Sequence, residues 1–343
     1  MKDNKKHKKA EYRVLVTGLI ILLAAVCIIA LCAGQYSVSI PEVIKILASR
    51  FVNVTKTWNN TAEGVVFTLR LPRIIGAVLV GSALSLSGAA YQGVFKNPLV
   101  APDLLGVSSG ACVGASVAIL LHLNSFGVQT MAFIAGILAV GLTLFIPRLI
   151  KNTNMTMLVL SGIIVKGIMD SVMGIIKYVA DPETELQSIT YWQLGSLTKV
   201  LPKDLVTVGP VIIVASVIIF LLRWRINILS LGDREAKTLG VSVTVVRNFI
   251  IICATLLTAS AVCISGTIGW VGLVIPHFAR MLTGPDNTKA IPVSILLGAI
   301  FMVVIDTLAR ALTSVELPLS ILTGIIGAPF YIIILARQRM KLS

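Results

Sequence analysis

Charge is what this sequence has least of. Only 13% of its 343 residues are Asp, Glu, Lys or Arg, about half the share of a soluble domain, and the mean hydropathy is +0.94. An ordinary soluble globule and a disordered chain are both excluded on that ground. Signatures of catalysis are missing as well. No GK[ST] triplet occurs, so no phosphate-cradling P-loop is present, and there is neither an HExxH pattern nor a glycine-rich dinucleotide fingerprint. His7, His122 and His277 lie far apart and match no metal-ligand spacing. Cys27, Cys32, Cys112, Cys253 and Cys263 are odd in number, form no CxxC pair and sit inside apolar runs. They read as small core hydrophobes, and neither a disulfide framework nor a metal site is expected of them. No cofactor is expected, and a chain that pumps must take its energy from elsewhere.

Long apolar runs are what it does have. Val14–Gly34 is the first, and further runs cover about 74–95, 104–123, 126–147, 155–179, 204–223, 247–265, 290–312 and 317–336. A spanning helix takes about 20 residues, so these are nine clear spans. The first follows a lysine-rich stretch, residues 1–13, in the charge order of a signal peptide. It is too long for a signal h-region and carries no convincing small-residue cleavage site, so it is expected to stay as a span.

The charge excess, 29 Lys+Arg against 15 Asp+Glu for a net +14, falls in clusters between apolar runs. No basic patch interleaves with aromatics, so nucleic acid is not an expected partner. Basic loops mark the cytoplasmic side. The basic residues 1–13 and the basic ending at 337–343 are both expected inside, and nine spans would separate them. A tenth span is therefore expected at 267–283, where Ile268–Ile275 is apolar. With ten spans the basic residues divide 19 inside to 9 outside, and Lys166 is left within the membrane. The expected architecture is all-α: one ten-span domain over 14–336 in a lipid bilayer, with both termini cytoplasmic.

Charges inside spans are expensive, about 2.5–3.5 kcal/mol each on insertion scales. Lys166 and Asp170 share a helix face at i,i+4, as do Asp306 and Arg310. Each pair reads either as a self-neutralising contact or as a polar stretch of a substrate path. The inside loop, about 224–247, carries LGDREAKTLG, helix-forming from Gly232 and broken at Gly240. It reads either as a solvated surface or as a docking helix for a cytosolic partner. Gly106, Gly110 and Gly114 repeat every fourth residue, allowing close approach between helices.

Several long motifs, in chain order from about 14 to 336, resemble the iron-siderophore and vitamin B12 ABC importer permease family. They are LRLPR (Leu69–Arg73), the segment Gly81–Ala111, LGDREAKTLGV (Leu231–Val241), GTIGWVGLVIPHFAR (Gly266–Arg280), DTLAR (Asp306–Arg310) and ELPLSILTGIIGAPF (Glu316–Phe330). The resemblance implies ten spans per subunit with both ends inside, in the type II importer arrangement. It implies pairing with a second permease subunit, homo- or heterodimeric, on two cytosolic ATPase subunits that supply the energy. It also implies an extracytoplasmic substrate-binding protein, often a lipoprotein, that delivers the ligand. Leu231, Gly232, Asp233, Glu235, Ala236, Leu239 and Gly240 then fall in the ATPase-coupling helix. Arg70, Arg73 and Arg310 fall where arginines meet acidic residues of the binding protein, and are expected at the outer surface. The fifth span lines the path in this family, making Lys166 and Asp170 candidate lining residues, and Trp192, beyond that span, is a third. Lys166 stands where the family usually has small or uncharged polar residues. The segment YWQLGSL (Tyr191–Leu197) is closer to the siderophore branch than to the B12 branch. The expected function is a bacterial plasma-membrane permease subunit, itself without an ATPase site, that imports a ferric siderophore, with heme next and cobalamin after it. An ion-coupled secondary transporter is the alternative from another class.

Overall fold

Apolar runs bounded by caps become helices, and no strand occurs among the described residues. The computed structural model describes residues 2–152, 154–313 and 315–339. In chain order its helices are α1 (Lys2–Cys32), α2 (Ile40–Ala48), α3 (Asn60–Gly64), α4 (Leu71–Phe95), α5 (Val107–Leu120), α6 (Ser125–Leu149) and α7 (Met155–Val179). Then come α8 (Glu185–Leu194), α9 (Pro202–Leu231), α10 (Asp233–Thr238), α11 (Val243–Ser265), α12 (Val271–Thr283), α13 (Asn287–Ala311) and α14 (Leu319–Arg339). A π-helical turn, Val65–Arg70, leads into α4, and a 3-10 turn, Pro102–Leu105, precedes α5.

Local chemistry sets the boundaries. Asn124 and Asn154 cap α6 and α7 by accepting from the backbone N–H of Gly127 (2.9 Å) and Met157 (2.8 Å). Pro72 stands in the first turn of α4, where a missing N–H is harmless. Each of the ten expected apolar runs coincides with one of α1, α4–α7, α9 and α11–α14. Among the described residues, seven helical stretches are long and apolar enough to cross a membrane. Val107–Leu120, Val271–Thr283 and Leu319–Ile332 are shorter. At 1.5 Å per residue a 14-residue helix covers about 21 Å of a roughly 30 Å hydrocarbon core.

Helix α1 extends back through the basic amino-terminal stretch to Lys2. Helix α9 runs on to Leu231, past the expected end at 223. There the Arg223 guanidinium lies 3.7 Å from the centre of the Phe220 ring, which lets the helix carry its charge at the apolar margin. The stretch 181–203 contains the helix α8. Residues 340–343 of the basic ending lie outside the described residues.

Helix α4 is the hub, packed by α13, α11, α9 and α12. Gly81 faces Gly298 of α13 so closely that a Cβ on either would strike the other's carbonyl oxygen. Polar side chains knit the same contacts: Ser85 Oγ donates to the Ser294 carbonyl (2.8 Å), Ser87 Oγ meets Thr258 Oγ1 (2.7 Å) and Tyr91 Oη meets Thr255 Oγ1 (2.9 Å). Gly110 and Gly114 let α5 close on Ala135 and Met131 of α6, as their spacing predicts. Helix α7 leans on α5, α6 and the 3-10 turn.

Candidate functional site

The bundle has two polar ends and one polar face, and each collects residues singled out in the sequence.

At one end the chain buries three arginines. Arg70, Arg73 and Arg310 are 5%, 8% and 7% exposed, and Asp306 is 1% exposed. Arg73 Nε donates to both oxygens of Asp306, at 2.8 and 3.0 Å, and its Nη1 donates to Glu316 Oε1 at 2.9 Å. Thr198 Oγ1 donates to the second Glu316 oxygen at 2.5 Å. Arg310 Nε is 3.7 Å from Asp306 Oδ2, a charge partner beyond hydrogen-bond reach. The remaining donors go to backbone. Arg70 donates to the carbonyls of Leu31 (2.6 Å), Cys32 (3.2 Å) and Tyr36. Arg310 donates to those of Ala33 (2.8 Å) and Ala30. The carbonyls of Ala30, Leu31 and Cys32 are in the last turn of α1, with Ala33 just after it, where the helix leaves its last four acceptors unpaired and its dipole is negative. Tyr36 belongs to the loop that follows. Two arginines thus cap α1, and a third ties α4 to α13.

The expectation that these arginines face solvent is corrected. Desolvated cations need partners, and the end of α1, Asp306 and Glu316 supply most of them within the chain. Of the buried guanidinium nitrogens of these three arginines, Arg310 Nε alone has only the Asp306 charge, at 3.7 Å, and no hydrogen bond. Burial would raise the Glu316 carboxyl, but its hydrogen bonds from Arg73 and Thr198 outweigh that and hold it below the usual carboxylate range. Beside it an open groove of about 760 Å³ runs between α8 and the 313–318 loop, with Tyr191, Leu186, Thr190 and Pro318 along its walls. Trp192 is half-buried and packs against both the main core and the α5–α7–α8 cluster; its neighbour Tyr191 is the exposed aromatic.

The opposite end carries α10. Gly232 (φ +147°) and Gly240 (φ +76°) bracket it, both in backbone that side chains resist. Ala236 is buried beneath the helix, while Leu231 and Leu239 at its two ends are 64% and 60% exposed. Glu235 is exposed, and Asp233 is held by Arg247 at 2.6 Å and Lys96 at 3.8 Å. The expected helix from Gly232 and break at Gly240 are both present. Nearby, Gln92, Lys96, Ser230, His277, Arg280 and Asn287 line a hollow of about 450 Å³. Arg280 donates to Gln92 Oε1 there. Asp286 accepts from Asn227 (2.7 Å) and Thr288 (2.9 Å); these bonds outweigh its burial and keep its carboxyl low.

The polar face belongs to α7. Lys166 and Asp170 are both exposed, and no ion pair within 4.0 Å joins them to each other or to any described residue. The self-neutralising contact read from their spacing is not formed. Asp306 and Arg310 do pair, though Arg73 is the closer partner of Asp306.

A sequence model of the FecCD transport family matches residues 21–337. The chain belongs to the FecCD transport family. The molybdate import permease MolB of Haemophilus influenzae is 37% identical over 321 residues, 94% of this chain and 95% of that protein. An iron chelatin permease of Helicobacter pylori is 40% identical over 275 residues, 80% of this chain and 83% of the relative. Other relatives are named for cobalamin, hemin and Fe(3+)-citrate import. A solved inward-facing structure of a metal-chelate type ABC transporter overlays with a TM-score of 0.84 at 35% identity, covering 94% of this chain and 98% of the other. As a FecCD-family permease, this is a multi-pass protein of the bacterial plasma membrane, of the ABC importer class. Such permeases are transporters and not catalytic enzymes, and they work with ATPase subunits and binding proteins.

The FecCD-family fold gathers Arg70, Arg73 and Arg310 at one end and Leu231–Gly240 at the other. It leaves Lys166 and Asp170 away from both. Glu316, Thr198, Tyr191 and the α1 carbonyls were missed by sequence reasoning. Glu316 and Tyr191 each had a signal, Glu316 as an acid next to LPLS at the head of an apolar run and Tyr191 as the start of the YWQLGSL segment.

Proposed function

We propose that this permease imports a metal chelate, a ferric siderophore first and heme next, as one of two membrane subunits on a pair of cytosolic ATPases. The domain over 14–336 crosses the membrane ten times with both termini in the cytosol. An extracytoplasmic binding protein docks at the arginine end. There Arg70, Arg73 and Arg310 act from beneath, holding α1, α4, α13 and the 313–318 loop in register as a landing surface. Lys166 and Asp170 line the path, and Trp192 anchors α8 beside it.

The observation that carries this reading is α10. A six-residue helix with an exposed glutamate, flanked on each side by a glycine and an exposed leucine, suits a groove on a partner, as amphipathic helices do elsewhere. Gly240 tests it. Its φ of +76° is closed to proline, and its N–H donates to the Lys237 carbonyl at 3.0 Å. In proteoliposomes holding the permease with its ATPase and binding protein, Gly240→Pro is expected to insert normally yet lose uptake and ligand-stimulated ATP hydrolysis. Unchanged uptake makes α10 a solvated surface. Uptake driven by an ion gradient without ATP makes the protein a secondary transporter. The topology has its own check: Ser343→Cys is expected to resist impermeant thiol reagents in intact cells, and labelling from outside removes the ten-span count.

Among relatives, the molybdate permease matches nearly the whole chain, so an oxyanion stands as the second reading of the cargo.

A further inference from the structure

Helix α7 carries three charges on one stripe. Lys166, Asp170 and Lys177 are spaced by four and then seven residues. At 3.6 residues per turn they fall within an arc of about 40° and spread over about 16 Å of the helix. Lys166 and Asp170 are exposed and Lys177 is half-buried. None of the three has an ion-pair partner among the described residues.

The rest of α7 says where this stripe points. Leu158, Gly162, Val165, Met173 and Ile176 are buried and occupy the arc on one side of the charges. Ile164, Ile168 and Ile175 are exposed and lie roughly opposite the charges, the composition a lipid-facing surface needs. Gly167 and Gly174 stand between the charged and apolar stripes, with no atom within 4 Å of where a Cβ would sit, and the exposed Ile163 borders the charges on that same side. The helix therefore has one face for the protein, one for lipid and one that suits neither. Lipid would meet Lys166 and Asp170 uncompensated at mid-span, at about 2.5–3.5 kcal/mol each, while Lys177 stands in the last turn of α7, at the end of the span. Water is the medium in which the stripe is inexpensive. Its charges sum to +1 per chain, and a second copy across the path doubles that.

We propose that the Lys166–Asp170–Lys177 stripe of α7 borders a water-filled path and favours net-anionic cargo, an anionic metal chelate or an oxyanion, over neutral cargo. This rests on the permease reading above. Two lysines at the ends of the stripe attract an anion, and Asp170 between them keeps its hold weak enough for release.

The test places a cysteine on this face, Gly174→Cys, in the assembled transporter in membranes. The wild type, with its five native cysteines, is treated in parallel. Thiosulfonate reagents bearing a sulfonate and a trimethylammonium group are compared, each normalised to its rate with free cysteine. The sulfonate reagent is expected to react about three- to tenfold faster. Lys166→Met with Lys177→Met is expected to abolish that preference, and Asp170→Asn to increase it. No reaction with either reagent means the face is covered, and equal rates or an ammonium preference mean it does not attract anions; each overturns the proposal. ATP-driven uptake of ferric citrate, molybdate, hemin and cyanocobalamin separates the sources. Preference for one of the first three supports the proposal and names the kind of anion, and preference for cyanocobalamin overturns it. Sulfonate-selective labelling without ATP-driven uptake of any of the four overturns the importer reading and leaves the charged, water-facing stripe standing.

Discussion

Two groups of charges sit in the apolar body of this permease, and they are treated in opposite ways. Arg70, Arg73, Arg310 and Asp306 are buried and bonded to one another, to Glu316 and to the end of α1. Lys166 and Asp170 are exposed on α7, and no ion pair joins them to any described residue. A charge that a chain satisfies internally is part of its scaffold. One that it leaves open is addressed to something outside the chain. Residue type does not separate the two groups, since both contain acid and base at i,i+4. What separates them is whether a third element arrives to complete the set.

The contrast is sharpest at Asp306. Removing one partner of a buried pair leaves an uncompensated charge, at about 3–5 kcal/mol. Asp306→Leu leaves Arg73 with Glu316 as its one carboxylate and takes from Arg310 its carboxylate partner, and a large fall in thermal midpoint in detergent is expected. A midpoint within a degree or two of wild type would place the cluster on the same footing as α7. Arg73→Lys is expected to cost less, about 1–3 kcal/mol, because an ammonium replaces a planar fork that serves two carboxylates. Chemical denaturation of the purified protein would read it, and a neutral outcome would mean that charge alone, without geometry, holds α4 to α13.

Acid provides a graded version of the same comparison. Glu316 is held low when folded, so the folded state favours its ionised form. Its contribution is present above the ordinary glutamate value of 4.5 and is lost as pH falls through the depressed folded value. Stability is therefore expected to be flat from pH 7 to 5 and to decline below about 4.5, with Glu316→Gln shallower over that last interval. An identical slope in the variant would take Glu316 out of the clamp. The smallest effects are expected on α7. Lys166→Met, Asp170→Leu and their combination should each stay within about 0.5 kcal/mol of wild type, as for exposed positions generally. Singles that are clearly worse than the double would mean the two residues do pair in the membrane.

Helix positions were largely legible, because an apolar run of spanning length has few other readings. The end of α9 was not: Arg223 and Arg225 resemble a loop until Phe220 is seen beneath one of them. The arginine cluster was legible in membership and illegible in environment. Arg73 and Asp306 are 233 residues apart, and Arg70 and Arg310 are satisfied mainly by backbone carbonyls, which carry no residue-type signal. Spacing misled at Lys166 and Asp170, since i,i+4 makes a contact available without making it form. Gly240 was read correctly because a polar helix ending in glycine has a local mechanism, the left-handed stop.

The cap on α1 also has a timetable. The acceptors at Ala30 and Ala33 wait for donors on Arg310, 280 and 277 residues later in the chain. At roughly 5–20 residues per second of synthesis, that interval is on the order of tens of seconds. Arg70 can reach the carbonyls of Leu31 and Cys32 early, 39 and 38 residues on, but those of Ala30 and Ala33 stay open until α13 is made. Whatever shields that end meanwhile, water, a lipid headgroup or the insertion machinery, must leave before the arginine can seat.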